Sequence, residues 1–235
     1  MTVLFLAGHT ARSQAYMQTL IAHNLQIEHA LLLGEAPPAA ANEQAAPEWV
    51  AEVMLPDLGI ALTQSLASAN VPVTMLATRD VNAPEVCETV REIAPRLIIF
   101  SGYGGQLVKP ALLELGIPIL HVHSGFLPDY RGSTTLYYSL LAESRCAASA
   151  ILLDANIDTG VVIARKHYPA PPAGTDIDRR YDPAIRADLL RQVLTRFRDD
   201  GTLPVQWQQR SDEGSTFYVI HPVLKHLALL SLPRR

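Results

Sequence analysis

Residues 121–132 read HVHSGFLPDYRG, and this stretch decides how the rest of the chain is interpreted. It continues an apolar run and ends in a turn of Pro, Arg and Gly. His121 and His123 stand one residue apart, so on a strand both imidazoles project to the same face. A second polar segment, IDTG at residues 157–160, follows another apolar run. Polar side chains at the ends of buried strands are typical of the active site of an α/β enzyme.

Apolar runs of strand length alternate with helical segments along most of the chain. The predicted strands lie at residues 3–6, 30–33, 71–76, 97–100, 117–123, 147–153, 161–168 and 216–220, and the predicted helices at residues 11–23, 58–69, 84–93, 110–115, 134–142, 182–198 and 223–230. Continuous apolar strands that alternate with helices predict an α/β fold, with a mostly parallel, twisted sheet covered by helices on both faces. The Ala/Pro-rich residues 35–48 are predicted to form an exposed, mobile loop.

A second Pro-rich segment marks a predicted domain boundary. PAPPAG at residues 169–174 separates a core at residues 1–168, of a size usual for one domain, from a helical C-terminal extension at residues 169–235. We expect this extension to pack on the core. Its polar cluster at residues 176–182 fits a solvated surface, or else a lid or subunit contact beside a substrate pocket.

Composition excludes several classes of function. The net charge of −4, without a basic block, argues against nucleic acid as a partner. Cys87 and Cys146 are the only cysteines, so a disulfide framework is not expected and a reducing cytoplasm is the default. No apolar stretch approaches the ~20 residues needed to span a bilayer. The N-terminus is predicted to be a first strand and not a signal peptide.

Together, HVHSGFLPDYRG and IDTG resemble the hallmark of the folate-dependent formyltransferases, approximately N-[IVF]-H-P-S-L-L-P-x-[YF]-R-G and a later D-x-G. That family includes the glycinamide ribonucleotide, methionyl-tRNA and sugar N-formyltransferases. The turn SGYGG at residues 101–105 also matches a Tyr-Gly turn that precedes the hallmark strand in the family. The resemblance covers about residues 1–168 and implies a Rossmann-like formyltransferase fold for this catalytic domain.

The activity that the resemblance implies is transfer of formyl from N10-formyltetrahydrofolate to an amine. The family's catalytic Asn, His and Asp map to His121, His123 and Asp158, so the chain departs from the pattern at His121. Ser124-Gly125 replaces the usual Pro-Ser. A histidine and a carboxylate suit this reaction, because the attacking amine must lose a proton and the formyl oxygen develops negative charge. We expect His123 to transfer protons and contact the oxyanion, Asp158 to be its partner, and His121 to donate an N–H.

Further residues are assigned to binding. The resemblance places the donor's pterin beside Tyr103, Gly104, Gly105 and Asn156, where Gly104 and Gly105 let the backbone approach it or merely form a turn. Arg131 either anchors a substrate anion with its planar fork or locks the loop through backbone carbonyls. Arg12 either touches a phosphorylated or carboxylated substrate or belongs to an ordinary strand-to-helix turn.

The expected acceptor is the amine, or hydroxylamine, of a small metabolite. A tRNA substrate is disfavoured because about 65 residues after residue 168 are marginal for a further domain. A homodimer through the apolar residues 218–230 is an open prediction. The alternatives are a formyl hydrolase, in which water replaces the amine, and a folate-binding homologue without turnover. The HxH pattern with Asp158 also matches a zinc site, although no metal is expected.

Overall fold

A seven-stranded sheet organises the part of the chain that the structure describes, residues 2–37, 47–205, 207–210 and 212–234 of a computed structural model. In spatial order its strands are β10 (Val162–Pro169), β9 (Arg145–Leu152), β7 (Ile119–His123), β6 (Leu97–Ser101), β1 (Val3–Gly8), β2 (His29–Leu33) and β5 (Val73–Leu76). From β5 to β7 all neighbouring strands are parallel, whereas β9 pairs antiparallel with both β7 and β10. The prediction of a mostly parallel sheet is confirmed.

Helices cover both faces of this sheet. They are α1 (Ala11–Ala22), α2 (Leu62–Ser68), α3 (Pro84–Ile93), α4 (Pro110–Leu113), α5 (Thr135–Glu143), α6 (Asp182–Asp200) and α7 (Pro222–Leu230). Successive side chains of β1 alternate between the two faces. Phe5 packs in one cluster with Tyr16 of α1, and Leu4 packs in a second cluster with Val86 of α3. The α/β architecture predicted from the sequence is therefore confirmed.

The C-terminal segment shares the larger of these two clusters. Ile185 and Leu190 of α6 and Ala228 of α7 belong to the same apolar cluster as Phe5. This packing fixes the N-terminal half of α6 beside β7, where its polar side chains reach the edge of the sheet. The division into domains at residue 168 stays a prediction.

Several elements differ from the prediction. Tyr130–Gly132, predicted as a turn, forms a short strand, β8, which pairs in parallel with β11 (Ser215–Phe217). An unpredicted hairpin joins β3 (Glu48–Val50) to β4 (Val53–Leu55). Strands of three residues are too short to show a period in the sequence, and their partners cannot be deduced locally. The loop predicted at residues 35–48 falls largely on residues 38–46, which lie outside the described residues.

Candidate active site

Strand β7 carries both histidines to a cleft at the carboxyl ends of β1, β6 and β7, where α/β folds bind their ligands. His123 is 4% exposed, and its Nδ1 lies 3.3 Å from Oδ2 of Asp158. Its Nε2 lies 2.6 Å from the backbone carbonyl oxygen of Tyr130. A neutral imidazole donates to one of these oxygens at a time, whereas the imidazolium donates to both.

The loop after β9 places Asp158 against this imidazole. Asp158 adopts a left-handed backbone conformation, with φ of 53°, and its Oδ2 accepts a hydrogen bond of 2.9 Å from the Gly132 amide. The side-chain amide of Gln209 donates to the backbone carbonyls of Asp158 and Gly160, at 2.9 and 2.8 Å. The carboxylate is thus oriented by its own hydrogen bond and its loop by two more.

His121 is half-buried and lines the same cleft. Burial lowers its pKa well below the usual value, and the nearby cations Arg186 and Arg12 lower it further. The imidazole is therefore neutral near pH 7. Its Nδ1 lies 3.5 Å from the Phe100 carbonyl oxygen, at the outer limit of a hydrogen bond. In the tautomer protonated at Nε2, His121 has an N–H group that donates no hydrogen bond to any described residue. Any ionisation that His121 adds to the pH profile of the site would therefore lie at acid pH.

The cleft has a volume of about 600 Å³, within the range of small-molecule sites. Most of the predicted site residues line it: Arg12, Tyr103, Gly104, Gly105, His121, His123, Asn156 and Asp158. The amides of Gly104 and Gly105 donate no hydrogen bond to any described residue. A Cβ at either glycine would meet nothing within 4 Å, and φ of Gly105 is +79°. This turn therefore leaves open backbone donors that a polar heterocycle such as a pterin fits.

Tyr103 is held firmly at one side of the cleft. Its hydroxyl donates to the Leu33 carbonyl at 2.8 Å, and the guanidinium of Arg79 lies 4.0 Å from the ring centroid. A Cβ at Gly8 would come within 2.8 Å of the Tyr103 ring, and one at Gly34 within 2.7 Å of its hydroxyl. Glycine at these two positions therefore leaves the space that the Tyr103 ring and hydroxyl occupy.

Arg131 is not brought to the cleft with the others. It is 4% exposed, and its guanidinium donates to the carbonyls of Glu213, at 2.6 Å, and Arg210, at 3.0 Å. It also contacts Oε1 of Gln209, at 3.1 Å from Nη2. These contacts match the structural alternative, in which Arg131 locks its loop through backbone carbonyls.

Sequence reasoning missed part of what the C-terminal segment contributes, namely Arg186 and residues 216–219. Asp178, Asp182 and Arg186 line the cleft together with residues 216–219. Asp182 accepts hydrogen bonds from the Ser124 hydroxyl and from Nη1 of Arg186, the latter at 3.2 Å. Of the two readings of the polar cluster at residues 176–182, the one beside the pocket matches Asp178 and Asp182. The sequence held one sign that Arg186 is functional: it is a charged residue on the apolar face of helix α6.

Within the described ranges, no three His, Cys, Asp or Glu side chains lie close enough together to hold a metal ion, and this includes His121, His123 and Asp158 of the zinc alternative. None of the helices in the same ranges has both the length and the apolar character that a membrane span needs.

Comparison with known proteins supports the resemblance noted in the sequence. A methionyl-tRNA formyltransferase of Trichlorobacter lovleyi is 30% identical over 149 residues, which are 62% of this chain and 45% of that protein. The corresponding protein of Pelobacter propionicus is 28% identical over 157 residues, 65% of this chain and 47% of its own length. The match with this chain thus spans less than half of each relative.

Solved structures share the fold. Glycinamide ribonucleotide transformylase 1 from Symbiobacterium toebii superposes with a TM-score of 0.61 at 16% identity, covering 89% of this chain and 93% of that one. A sugar N-formyltransferase from Shewanella sp FDAARGOS_354 gives 0.59 at 15% identity, covering 98% and 87%. The family model described as Formyl transferase matches residues 1–184 of the 235. Because that match takes in well over half of the sequence, this chain belongs to the formyl transferase family.

Proposed function

We propose that this chain transfers the formyl group of N10-formyltetrahydrofolate to the amine, or hydroxylamine, of a small metabolite. The observation that carries the proposal is the 3.3 Å contact between Nδ1 of His123 and Oδ2 of Asp158, in a cleft that His121 also lines. Membership of the formyl transferase family supports a formyl-folate as the donor. The open amides of Gly104 and Gly105 support binding of its pterin at that end of the cleft.

The reaction moves one proton from the attacking amine to the leaving nitrogen. The amine lone pair attacks the formyl carbon, and negative charge develops on the formyl oxygen. Asp158 accepts the amine proton, directly or through a water, and His123 stabilises the carboxylate and relays the proton through Nδ1. The tetrahedral intermediate then collapses as its bond to N10 breaks, and N10 takes up the proton. General acid–base catalysis of this kind contributes about 10²–10⁴-fold.

In this scheme, the N–H group of His121 donates a hydrogen bond to the developing oxyanion. Nε2 of His123 already lies at the Tyr130 carbonyl, whereas His121 has no described hydrogen-bond partner closer than 3.5 Å. Its lowered pKa keeps it neutral, so it stabilises the oxyanion as a dipole, as an amide would. One such donor is worth roughly 3–4 kcal/mol of transition-state stabilisation.

The small acceptor is supported by the charge of the chain, −4 over 235 residues, which does not favour RNA. We place the reaction in the cytoplasm, because Cys87 and Cys146 are both free and buried. A homodimer remains a prediction, and the exposed side chains of Tyr218, Val219 and Leu230 are the surface that it would use.

The test is release of tetrahydrofolate by the purified chain, measured with and without a panel of small amines. We expect release that depends on an amine, and losses of about 100-fold or more in His123→Ala and Asp158→Asn. His226→Ala, which removes an exposed imidazole on α7, is the matched control and should retain full turnover. Release without any amine would make the chain a formyl hydrolase. Folate binding with no turnover would make it a binding homologue. Either outcome would overturn transfer.

A further inference from the structure

Two arginines from distant parts of the chain meet at the floor of the cleft beside His121. Arg12 comes from the first turn of α1, and Arg186 comes from α6. Both are near enough to His121 to lower its pKa by their charge. Arg186 lies two residues beyond residues 1–184, the part that matches the family model.

Each guanidinium is held in place by part of its donors. Arg12 donates from Nε to the Ser101 hydroxyl at 3.1 Å and from Nη2 to the Gly102 carbonyl. Arg186 donates from Nε to the Val122 carbonyl at 2.8 Å and from Nη1 to Asp182 at 3.2 Å. By hydrogen-bond geometry, Nη1 of Arg12 and Nη2 of Arg186 have no partner among the residues of the described ranges. The Arg186 guanidinium also lies near the Tyr16 hydroxyl, where it partly offsets the rise that burial gives the pKa of Tyr16. Each arginine is therefore fixed and keeps one terminal nitrogen available.

The charge at this floor is not balanced. Among the described residues, Asp182 is the one carboxylate that bonds to either guanidinium, and it also accepts a hydrogen bond from the Ser124 hydroxyl. Burial and the neighbouring Arg186 lower the pKa of Arg12 to about 10. The other cleft carboxylates have partners elsewhere: Asp154 bonds Thr159, Asp158 faces His123, and Asp178 bonds Tyr137 and Lys225. Burial lowers the pKa of Arg186, but the charges of Asp182, Tyr16 and Asp158 outweigh burial and raise it. The uncompensated positive charge at this floor is therefore that of Arg12, and an anionic ligand would neutralise it.

We infer that the free nitrogens of Arg12 and Arg186 form an anion subsite, and that the acceptor amine carries a carboxylate or a phosphate that binds there. The assignment of this anion to the acceptor rests on the proposed transfer; the subsite itself does not. Paired guanidinium donors recognise both groups, because their planar N–H groups match two oxygens of one anion. An anion held beside His121 would set the distance of the amine from the reacting carbon and would reject neutral amines.

Titration calorimetry on the purified chain tests the subsite without any donor. Inorganic phosphate and acetate are titrated separately against chloride buffer of equal ionic strength. The anion that binds more tightly shows whether the subsite prefers a phosphate or a carboxylate. We expect Arg186→Gln and Arg12→Gln each to weaken binding about tenfold or more, the loss of one charge-assisted contact. The control is Arg198→Gln, which replaces an exposed arginine on the same helix that pairs with Asp199. Circular dichroism melting shows whether each variant folds.

A kinetic arm then tests the link to the acceptor. O-phosphoethanolamine is compared with ethanolamine, and glycine with methylamine, as formyl acceptors of the wild type and of Arg186→Gln. We expect the anionic member of one pair to have the higher kcat/KM and to lose that advantage in the variant. If neither anion binds, or both glutamine variants bind as the wild type does, the subsite does not exist. If anion binding depends on the arginines but no amine is formylated, the subsite stands and the proposed transfer fails.

Discussion

Arg131 bonds the side chain of Gln209 at 3.1 Å, and the same Gln209 bonds the backbone carbonyl of Asp158 at 2.9 Å. The guanidinium also donates to two carbonyls of the segment that follows Gln209. This chain of contacts joins a buried arginine of the hallmark to the loop that carries the proposed catalytic carboxylate. Arg131 is therefore linked to the site through Gln209.

Replacing Arg131 should cost stability before it changes binding. Arg131→Lys keeps the charge but cannot reach Gln209 and both carbonyls at once. We expect the free energy of unfolding to fall by about 2–3 kcal/mol, the value of lost hydrogen bonds to a buried charged group. Urea denaturation measures this fall, and the exposed Arg198→Lys provides the reference. Equal midpoints for the two variants would show that Arg131 does not hold the loop.

Asp188 should make stability depend on acid pH. Burial raises the pKa of this carboxyl, but hydrogen bonds from Lys166, Arg191 and Tyr168 outweigh burial and lower it. Its stabilising contribution is thus complete above the unfolded pKa, about 3.9, and is lost as the pH falls through the lower folded value. At pH 7, Asp188→Asn should be less stable by about 2 kcal/mol.

The gap between the wild type and Asp188→Asn should narrow below about pH 4, since both then carry an uncharged group. Thermal unfolding from pH 7 to pH 3 measures it, with Asp199→Asn as the exposed control on the same helix. A gap that stays constant over this range would contradict the role of the charge.

Much of the fold was predictable because its signals are local. Strands such as β6 are uninterrupted apolar runs, and Pro84 marks the start of α3, where the predicted and observed bounds agree. The β8–β11 pair was not predictable. Tyr130–Gly132 reads as a turn in isolation, and it becomes a strand only because Ser215–Phe217 lies beside it. Pairing between distant segments is a property of the folded chain and leaves no local pattern.

The candidate site divides in the same way. The hallmark located His121, His123 and Asp158, and the resemblance placed Tyr103, Gly104, Gly105 and Asn156 beside them, but neither pointed to Arg186. Arg186 shares an apolar helix face with Leu190 and Val193, and a cation in that position is an inconsistency that often marks function. The sequence shows this inconsistency, but only the packing of α6 against the sheet shows that the cleft lies beside it.

His121 should destabilise the folded chain at mildly acid pH. Burial, Arg186 and Arg12 keep its folded-state pKa well below 6.5, so below that pH the unfolded chain binds the proton more readily. Stability should therefore fall as the pH drops below 6.5, by at most about 1.4 kcal/mol per pH unit for this group. His121→Asn removes the titrating group and should flatten this part of the profile.

The measurement for His121 is the free energy of unfolding between pH 7 and pH 5, from urea denaturation of the wild type, His121→Asn and His226→Asn. The exposed His226 serves as the control, and its variant should follow the wild type. Because asparagine is also a neutral N–H donor, His121→Asn should keep formyl transfer within about tenfold of the wild type. Parallel profiles for all three proteins would mean that His121 is not held neutral by its surroundings.

Gly125 should be required for the position of His123. A Cβ at this residue would lie 2.8 Å from Nε2 of His123 and 2.7 Å from the Tyr130 carbonyl oxygen, two atoms that are themselves 2.6 Å apart. Gly125→Ala therefore forces the imidazole away from Tyr130 and from Oδ2 of Asp158. We expect kcat to fall about tenfold or more, equivalent to about 1.4 kcal/mol, with a smaller change in KM for the donor. The imidazole nitrogen resonances of His123 in the nuclear magnetic resonance spectrum report the displacement directly. Unchanged resonances together with an unchanged kcat would mean that the loop yields instead, and that the contact with Tyr130 does not position the imidazole.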